Sequence, residues 1–96
     1  MAIQNLTQIA RTGSSERLEE LLTELHQRAN GELIAPPIMV IVDGLESTRA
    51  VLAERLGSAR AHDVITELYR FQHRGRKLGV AVLVQQPILN FDTLTA

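Results

Sequence analysis

Two short runs of consecutive apolar residues constrain the fold of this 96-residue chain more than any other feature. The first run is Ile-Met-Val-Ile-Val at 38–42, and the second is Val-Ala-Val-Leu-Val at 80–84. Uninterrupted apolarity, rather than alternation, predicts strands that are covered on both faces, as in a parallel sheet. Residues 43–79 separate the runs and are enough for a helical crossover. The sequence therefore predicts an α/β fold in which parallel strands 38–42 and 80–84 are joined by a right-handed βααβ crossover.

Helical periodicity fills the segments around these runs. Leucines at the spacing of one helix face, after the N-cap candidates Ser14 and Ser15, predict an amphipathic helix over 15–29; they are Leu18, Leu21, Leu22 and Leu25. Within the crossover, the pattern predicts one helix over 45–56 and another from Ser58 to about residue 72. A polar, arginine-rich turn is expected at 73–79, before the second strand.

Two strands are too few to form a sheet that is covered on both faces. Either the tails add strands, or another chain completes the sheet, or the chain is part of a larger α/β domain. We expect one small α/β domain over 14–96, a flexible or short helical arm over 1–13, and either a short helix or a third strand over 88–96. The chain is thus predicted to be a partial or minimal three-layer unit.

Composition excludes several classes of protein. The formal net charge is −1, so bulk charge does not indicate a small basic nucleic-acid binder. Cysteine is absent, which excludes disulfides and thiolate metal sites. The histidines lack zinc-ligand spacing, and no G-x-S-x-G or G-x-G-x-x-G motif occurs. Because no apolar run is long enough to span a bilayer and no leader pattern opens the chain, a cytoplasmic protein without a membrane segment is expected.

Each predicted strand ends in a polar residue that could carry chemistry. Asp43 follows the first strand and Gln85 the second, and the carboxyl ends of parallel strands meet at one edge of a sheet. A strand-end carboxylate can hold the water shell of Mg²⁺ on a nucleotide, which is the Walker B arrangement. A strand-end amide can sense a γ-phosphate or orient the attacking water. The alternative for both residues is structural: an aspartate that caps the next helix, and a polar end to a strand before Pro87.

A basic cluster lies between the second crossover helix and the second strand. Five basic or potentially basic side chains fall within eight positions: Arg70, His73, Arg74, Arg76 and Lys77. A guanidinium group here could reach the phosphates of a nucleotide on a neighbouring subunit, or the cluster could grip nucleic-acid phosphates. Alternatively, cations simply stabilise the carbonyl end of a helix.

Taken together, these segments resemble the FtsK/HerA superfamily of DNA-translocating ATPases. The strings that carry the resemblance are PPIMVIVDGLES at 36–47 and RFQHRGRKLGVAVLVQQP at 70–87, with a helix between them. In that family, a strand that begins after prolines ends in Asp-Glu. A helix with an arginine-rich end then leads to a strand that ends in a Thr-Gln-Arg-Pro-like sequence. The resemblance covers about residues 17–91 and implies a P-loop-like fold.

The resemblance also implies roles for matching positions. Asp43 corresponds to the Walker B aspartate that is associated with Mg²⁺, and Gln85 corresponds to the sensor glutamine. Arg74 or Arg76 occupies the region of the family's trans-acting arginine. Arg70 and Lys77 extend the same segment as a nucleic-acid patch. Partners would be copies of this chain in an oligomer, a larger ATPase, or DNA.

Departures from the family pattern limit the activity that can be expected. Gly44 replaces the glutamate that follows the Walker B aspartate, and Glu46, two residues later, is a poor geometric substitute in catalysis. Val84 stands where the family has threonine or serine. No G-x-x-x-x-G-K-[ST] phosphate loop exists in the sequence.

Two main functions remain open from the sequence. The first is a part or relic of an ATP-driven DNA translocase that binds and hydrolyses Mg²⁺–ATP only with a missing Walker A half. The second is a non-enzymatic module that self-associates or docks on a larger ATPase or DNA-associated assembly. A third hypothesis is a small nucleic-acid binder that uses residues 70–77.

Overall fold

A computed structural model describes residues 2–32 and 35–85 of the chain. Along these residues there are three strands, and two helices separate each strand from the next: β1 (Ala2–Asn5), α1 (Leu6–Thr12), α2 (Ser15–Ala29), β2 (Ile38–Asp43), α3 (Leu45–Leu56), α4 (Ser58–Leu78) and β3 (Val80–Gln85). The prediction for residues 88–96 lies outside the described residues. No helix within the described ranges has the length and apolarity needed to cross a membrane.

The three strands form one parallel sheet in the order β1-β2-β3. The α/β class, the parallel pairing of the two apolar strands and the amphipathic helix over 15–29 are confirmed. The third strand is Ala2–Asn5, which pairs with β2 from Ala2–Ile38 to Asn5–Ile41. Where the sequence predicts a flexible or short helical arm, the structure has a strand followed by α1. Strand β1 has four residues, and only one of them is β-branched, so the sequence shows no alternating pattern that would predict a strand there.

The prediction of a turn at 73–79 is wrong, because α4 continues to Leu78. Gly75 interrupts the helical pattern in the sequence, since glycine is a poor helix former. In the structure Gly75 is buried, and a Cβ added to it would lie 2.1 Å from the carbonyl oxygen of Val80. Glycine at this position therefore lets the last turns of α4 lie directly against the start of β3.

Side chains of the sheet alternate between a covered and an uncovered face. The buried residues of β2 are Ile38, Val40 and Val42, and they belong to one apolar core with residues of all four helices. Their neighbours Met39 and Ile41 are only partly buried, and Leu83 of β3 is exposed. The expectation that both faces of the strands are covered is therefore wrong for the described residues.

Topology explains why one face stays uncovered. The chain crosses the sheet in one direction, from β1 to β2 to β3. Parallel crossovers have the same hand, so successive crossovers in one direction place their helices on the same face. The described residues thus form two layers, the sheet and one layer of helices, and not the three layers that the sequence predicts.

Arg28 joins the end of α2 to the amino ends of β2 and β3. Its side chain is 1% exposed and donates to the carbonyl oxygens of Pro36 at 2.7 Å, Leu78 at 3.0 Å and Gly79 at 3.4 Å. Nη2 also lies 3.6 Å from Glu24 Oε1. One guanidinium group thereby satisfies carbonyls from two loops at the edge of the sheet opposite to Asp43.

Candidate functional site

Asp43 and Gln85 lie side by side at the carboxyl edge of the sheet. They are the last residues of β2 and β3 and are paired in the parallel register. Because residues in register project from the same face, their side chains share the uncovered face with Asn5, the last residue of β1. We call Asn5, Asp43 and Gln85 the carboxyl rim.

Asp43 is held on both its backbone and its side chain. Its backbone N–H donates to Thr7 Oγ1 at 2.9 Å, and its Oδ2 accepts from Asn5 Nδ2 at 2.9 Å. The buried hydroxyls of Thr7 and Thr48 share a short hydrogen bond. Asn5 is fixed in turn, because its Oδ1 accepts the backbone N–H of Gln8 at the start of α1.

Asn5 and Thr7 are functional candidates that the sequence does not indicate. They precede Asp43 by 38 and 36 residues and lie in the tail that carries no strand pattern. The one available signal is that asparagine is a favoured N-cap, which marks Asn5 as the start of α1. Their link to Asp43 depends on the β1–β2 register, which the sequence does not specify.

Gly44 has a conformational reason to be glycine. Its backbone φ angle is +78°, a value that residues with a Cβ atom rarely adopt. Its N–H donates to the carbonyl oxygen of Gln85 at 2.6 Å, which closes the ends of β2 and β3 on each other. A glutamate at this position would strain the backbone, so this turn favours glycine.

Glu46 is not brought to Asp43. It lies in the first turn of α3, its side chain is 81% exposed, and its carboxylate lies 3.5 Å from Arg49 Nη1. Within residues 2–32 and 35–85, no hydrogen bond joins it to the carboxyl rim. An exposed carboxylate paired with its own helix is poorly placed to replace a catalytic base.

The basic cluster lies at the other end of the sheet from the carboxyl rim. Helix α4 runs back from the carboxyl edge, and its last turn leads through Gly79 into the amino end of β3. The exposed side chains Arg70, Arg74 and Lys77 follow i, i+4, i+7 spacing and share one helix face. Arg76 instead lines a cavity beside β3. The end of α4 that carries Arg74, Arg76 and Lys77 therefore lies away from the Asp43 of its own chain.

The carboxyl rim fits Mg²⁺ only together with phosphates. Among the described residues, no three histidine, aspartate or glutamate side chains are grouped closely enough to hold a metal ion. Asp43 offers Oδ1, because the described hydrogen bonds engage only Oδ2. Magnesium commonly keeps several waters and takes one or two carboxylates plus substrate phosphates. Asp43 suits that role, and Gln85 supplies an amide beside it.

Two grooves lie away from the carboxyl rim. A cavity of about 620 Å³ lies beside α4 and β3, and its lining includes Phe71, Gln72 and Arg76 of α4 and Ile38 of β2. A second groove, between α2 and α4, contains His26 and Glu67, whose Nδ1 and Oε2 atoms are 3.8 Å apart. Burial raises the pKa of Glu67, against the opposing attraction of His26 and Arg70. Neither groove contains a residue of the carboxyl rim.

No family model, curated protein or solved structure matches the chain in the three comparisons. The geometry of the carboxyl rim and the chemistry of its side chains therefore indicate what this site can bind. The most specific features are the contacts of Asp43 and its register with Gln85.

Proposed function

We propose that this chain is a part or relic of an FtsK/HerA-like, ATP-driven DNA translocase and supplies half of a Mg²⁺–ATP site. The observation that carries the proposal is the register of Asp43 with Gln85 at the carboxyl edge of a parallel sheet. Open α/β sheets bind their ligands outside the carboxyl ends of the strands. An acid and an amide side by side at that edge are suited to a hydrated Mg²⁺ and a terminal phosphate.

The contacts of the rim define what each group would do. Asn5 and Thr7 fix the carboxylate and backbone of Asp43, so little reorganisation is needed when a metal–nucleotide arrives. Gln85 would orient a water molecule or sense the γ-phosphate. Gly44 and Glu46 supply no positioned base, and the sequence has no phosphate-binding loop. ATP hydrolysis would therefore require a second half-site from outside this chain.

The basic cluster supports the oligomeric and DNA-linked parts of the proposal. Arg74 and Arg76 are too far along α4 to serve their own rim, which suits an arginine that acts in trans on a neighbouring subunit. Arg70, Arg74 and Lys77 present a cationic stripe to solvent, and such a stripe can contact DNA phosphates.

A nucleotide titration tests the half-site. A fluorescent ATP analogue with Mg²⁺ should bind the 96-residue chain weakly, because no loop cradles the phosphates. Asp43→Asn and Gln85→Ala should each weaken binding by about tenfold, or about 1.4 kcal/mol. Asp63→Asn, an exposed acid on α4, is the matched control and should bind as the parent does. Affinity that is unchanged by Asp43→Asn would contradict the proposal.

A second candidate is a non-enzymatic interaction module that self-associates or docks on a larger ATPase or DNA-associated assembly. The uncovered apolar face of the sheet favours it, since exposed Leu83 and Ile3 are 44% and 62% accessible. Sedimentation equilibrium at several concentrations separates the two functions. A stable oligomer without any Asp43-dependent nucleotide binding would favour the module over the half-site.

A further inference from the structure

Two threonine hydroxyls lie buried beside the end of β2. Thr7 of α1 is 1% exposed and Thr48 of α3 is 0% exposed, and their Oγ1 atoms share a hydrogen bond where the two helices meet. Within residues 2–32 and 35–85, Arg28 is the only other buried side chain that is polar or charged. Arg28 is explained by the three carbonyl oxygens that it bonds. The hydroxyl pair requires a reason of its own.

Packing alone does not account for two hydroxyls at this contact. Valine has nearly the shape of threonine and a similar helix propensity, so it would fill the same space. A buried hydroxyl costs free energy unless it is hydrogen-bonded, and valine avoids that cost. Leu6 and Ala10 of α1 and Leu52 of α3 are buried and apolar. The hydroxyls therefore indicate a hydrogen-bonding role beyond the contact of α1 with α3.

The backbone N–H of Asp43 points to the side of β2 where the neighbouring strand has already ended. The N–H of the next residue, Gly44, donates to the carbonyl oxygen of Gln85 on the β3 side. Successive N–H groups of a strand point to opposite sides, so the N–H of Asp43 faces the β1 side. Strand β1 ends at Asn5, two positions short of Asp43 in the register. Thr7 Oγ1 accepts this N–H at 2.9 Å and takes the place of a strand carbonyl.

Thr48 is bonded on both sides of the peptide that joins Asp43 to Gly44. Its backbone N–H donates to the carbonyl oxygen of Gly44 at 3.0 Å, and its hydroxyl bonds Oγ1 of Thr7, which accepts the N–H of Asp43. A threonine in a helix often bonds the carbonyl four residues earlier, but for Thr7 that residue lies in β1. Thr48 supplies the partner that fixes this hydroxyl.

We propose that Thr48 is a positioning residue of the carboxyl rim and acts on Asp43 through Thr7. The hydroxyl of Thr48 orients that of Thr7, which holds the N–H of Asp43, and the backbone N–H of Thr48 holds the carbonyl that follows. The turn that presents the Asp43 carboxylate is thereby fixed before a ligand arrives. This inference rests on the proposed function for the ligand that Asp43 meets, whereas the position of Asp43 is measurable without a ligand.

Amide hydrogen exchange tests the positioning role. Thr48→Val removes the hydroxyl and keeps the shape of the side chain. It should speed exchange of the Asp43 N–H by about tenfold relative to that of Val40 in the same strand, as expected for the loss of one hydrogen bond. Thr48→Ser, which keeps the hydroxyl, should exchange as the parent does. Thr66→Val, which removes an exposed hydroxyl bonded within α4, is the matched control and should leave Asp43 unchanged.

A double-mutant cycle tests whether the effect passes through Thr7. Thr7→Val should also speed exchange at Asp43, and the double variant Thr7→Val/Thr48→Val should exchange no faster there than Thr7→Val alone. Effects that add would contradict a role through Thr7. Equal acceleration at Asp43 and Val40 would show a general loss of stability and would overturn the proposal. If urea unfolding shows that Thr48→Val is not folded, Thr48→Ala and Thr48→Ser give the same comparison, because they differ by the hydroxyl alone.

Binding of Mg²⁺–ATP separates this inference from the proposed function. Thr48→Val should weaken the binding that depends on Asp43 by about tenfold, and Thr48→Ser should restore it. Faster exchange at Asp43 in Thr48→Val, without any Asp43-dependent nucleotide binding by the parent, would support the positioning residue and contradict the half-site. Conversely, nucleotide binding that depends on Asp43, with exchange at Asp43 unchanged in Thr48→Val, would overturn the positioning residue alone.

Discussion

The side-chain amide of Asn5 donates a 2.9 Å hydrogen bond to Oδ2 of Asp43 and joins residues that are 38 positions apart. The same asparagine caps α1 through the N–H of Gln8. One side chain therefore connects the end of β1, the start of α1 and the carboxylate at the end of β2. The N-terminal strand is part of the candidate site as well as of the sheet.

Replacing Asn5 with alanine should lower the free energy of unfolding by about 1–2 kcal/mol. The substitution removes an N-cap and leaves a partly buried carboxylate without a donor. Urea unfolding, followed by circular dichroism, measures the change. Gln8→Ala, at an exposed position of α1, is the matched control, and an equal loss there would exclude a specific role for the amide.

Arg28→Met should cost about 3 kcal/mol of unfolding free energy, because three carbonyl oxygens lose their shared donor at a buried position. Chemical denaturation gives the value. Arg17→Met, which removes an exposed guanidinium group that donates to Gln4, should change stability by less than about 0.5 kcal/mol. Similar effects of the two substitutions would show that the burial of Arg28 contributes nothing specific.

Gly75→Ala should destabilise the protein by about 2 kcal/mol or more, although alanine is the better helix former. The new Cβ would lie 2.1 Å from the carbonyl oxygen of Val80, so α4 and β3 would have to separate. Gln72→Ala, on the exposed side of the same helix, should be neutral or slightly stabilising. A gain in melting temperature for Gly75→Ala would contradict the close packing.

Glu67→Gln should stabilise the protein more at about pH 7 than at about pH 4. Burial raises the folded-state pKa of Glu67 above its ordinary value of 4.5, against the attraction of His26 and Arg70. The stability that neutral Glu67 contributes is fully present below the unfolded-state pKa and is lost as pH rises through the folded-state pKa. Arg60 and Asp63 line the same groove and stay unchanged in this comparison.

Urea midpoints of the parent and of Glu67→Gln, measured across that range, give the difference. A constant difference between the two proteins at every pH would show that burial does not control the ionisation of Glu67. His26→Gln is a second control. It removes one of the two attractions that lower the pKa of Glu67 and so oppose the effect of burial.

The sequence predicted those elements of the fold whose hydrophobic pattern is strong. Leucine spacing predicts α2 at its observed bounds, and the two valine-rich runs predict the parallel strands β2 and β3. Ala2–Asn5 could not be recognised because a four-residue edge strand, half exposed, carries no period of its own. The sequence did not predict that α4 continues past Gln72, because glycine at position 75 is a poor helix former. In the structure, Gly75 allows α4 to pack closely against β3.

The sequence predicted the central pair of the candidate site, Asp43 and Gln85, but not the residues that support Asp43. Strand ends and parallel pairing are enough to bring Asp43 beside Gln85. The support from Asn5 and Thr7 depends on a third strand, and the exposed position of Glu46 depends on the turn that Gly44 makes. Such contacts follow from three-dimensional register, which local patterns do not encode.

Paramagnetic broadening by Mn²⁺–ATP tests the half-site most directly, because it locates even weak binding of a metal–nucleotide on the 96-residue chain. The amide signals of Asp43, Gly44 and Gln85 should broaden first, and Asp43→Asn should abolish that selectivity while Asp63→Asn preserves it. Broadening that centres on the acidic first turn of α2, or that is the same in Asp43→Asn, would contradict a nucleotide half-site at the carboxyl rim.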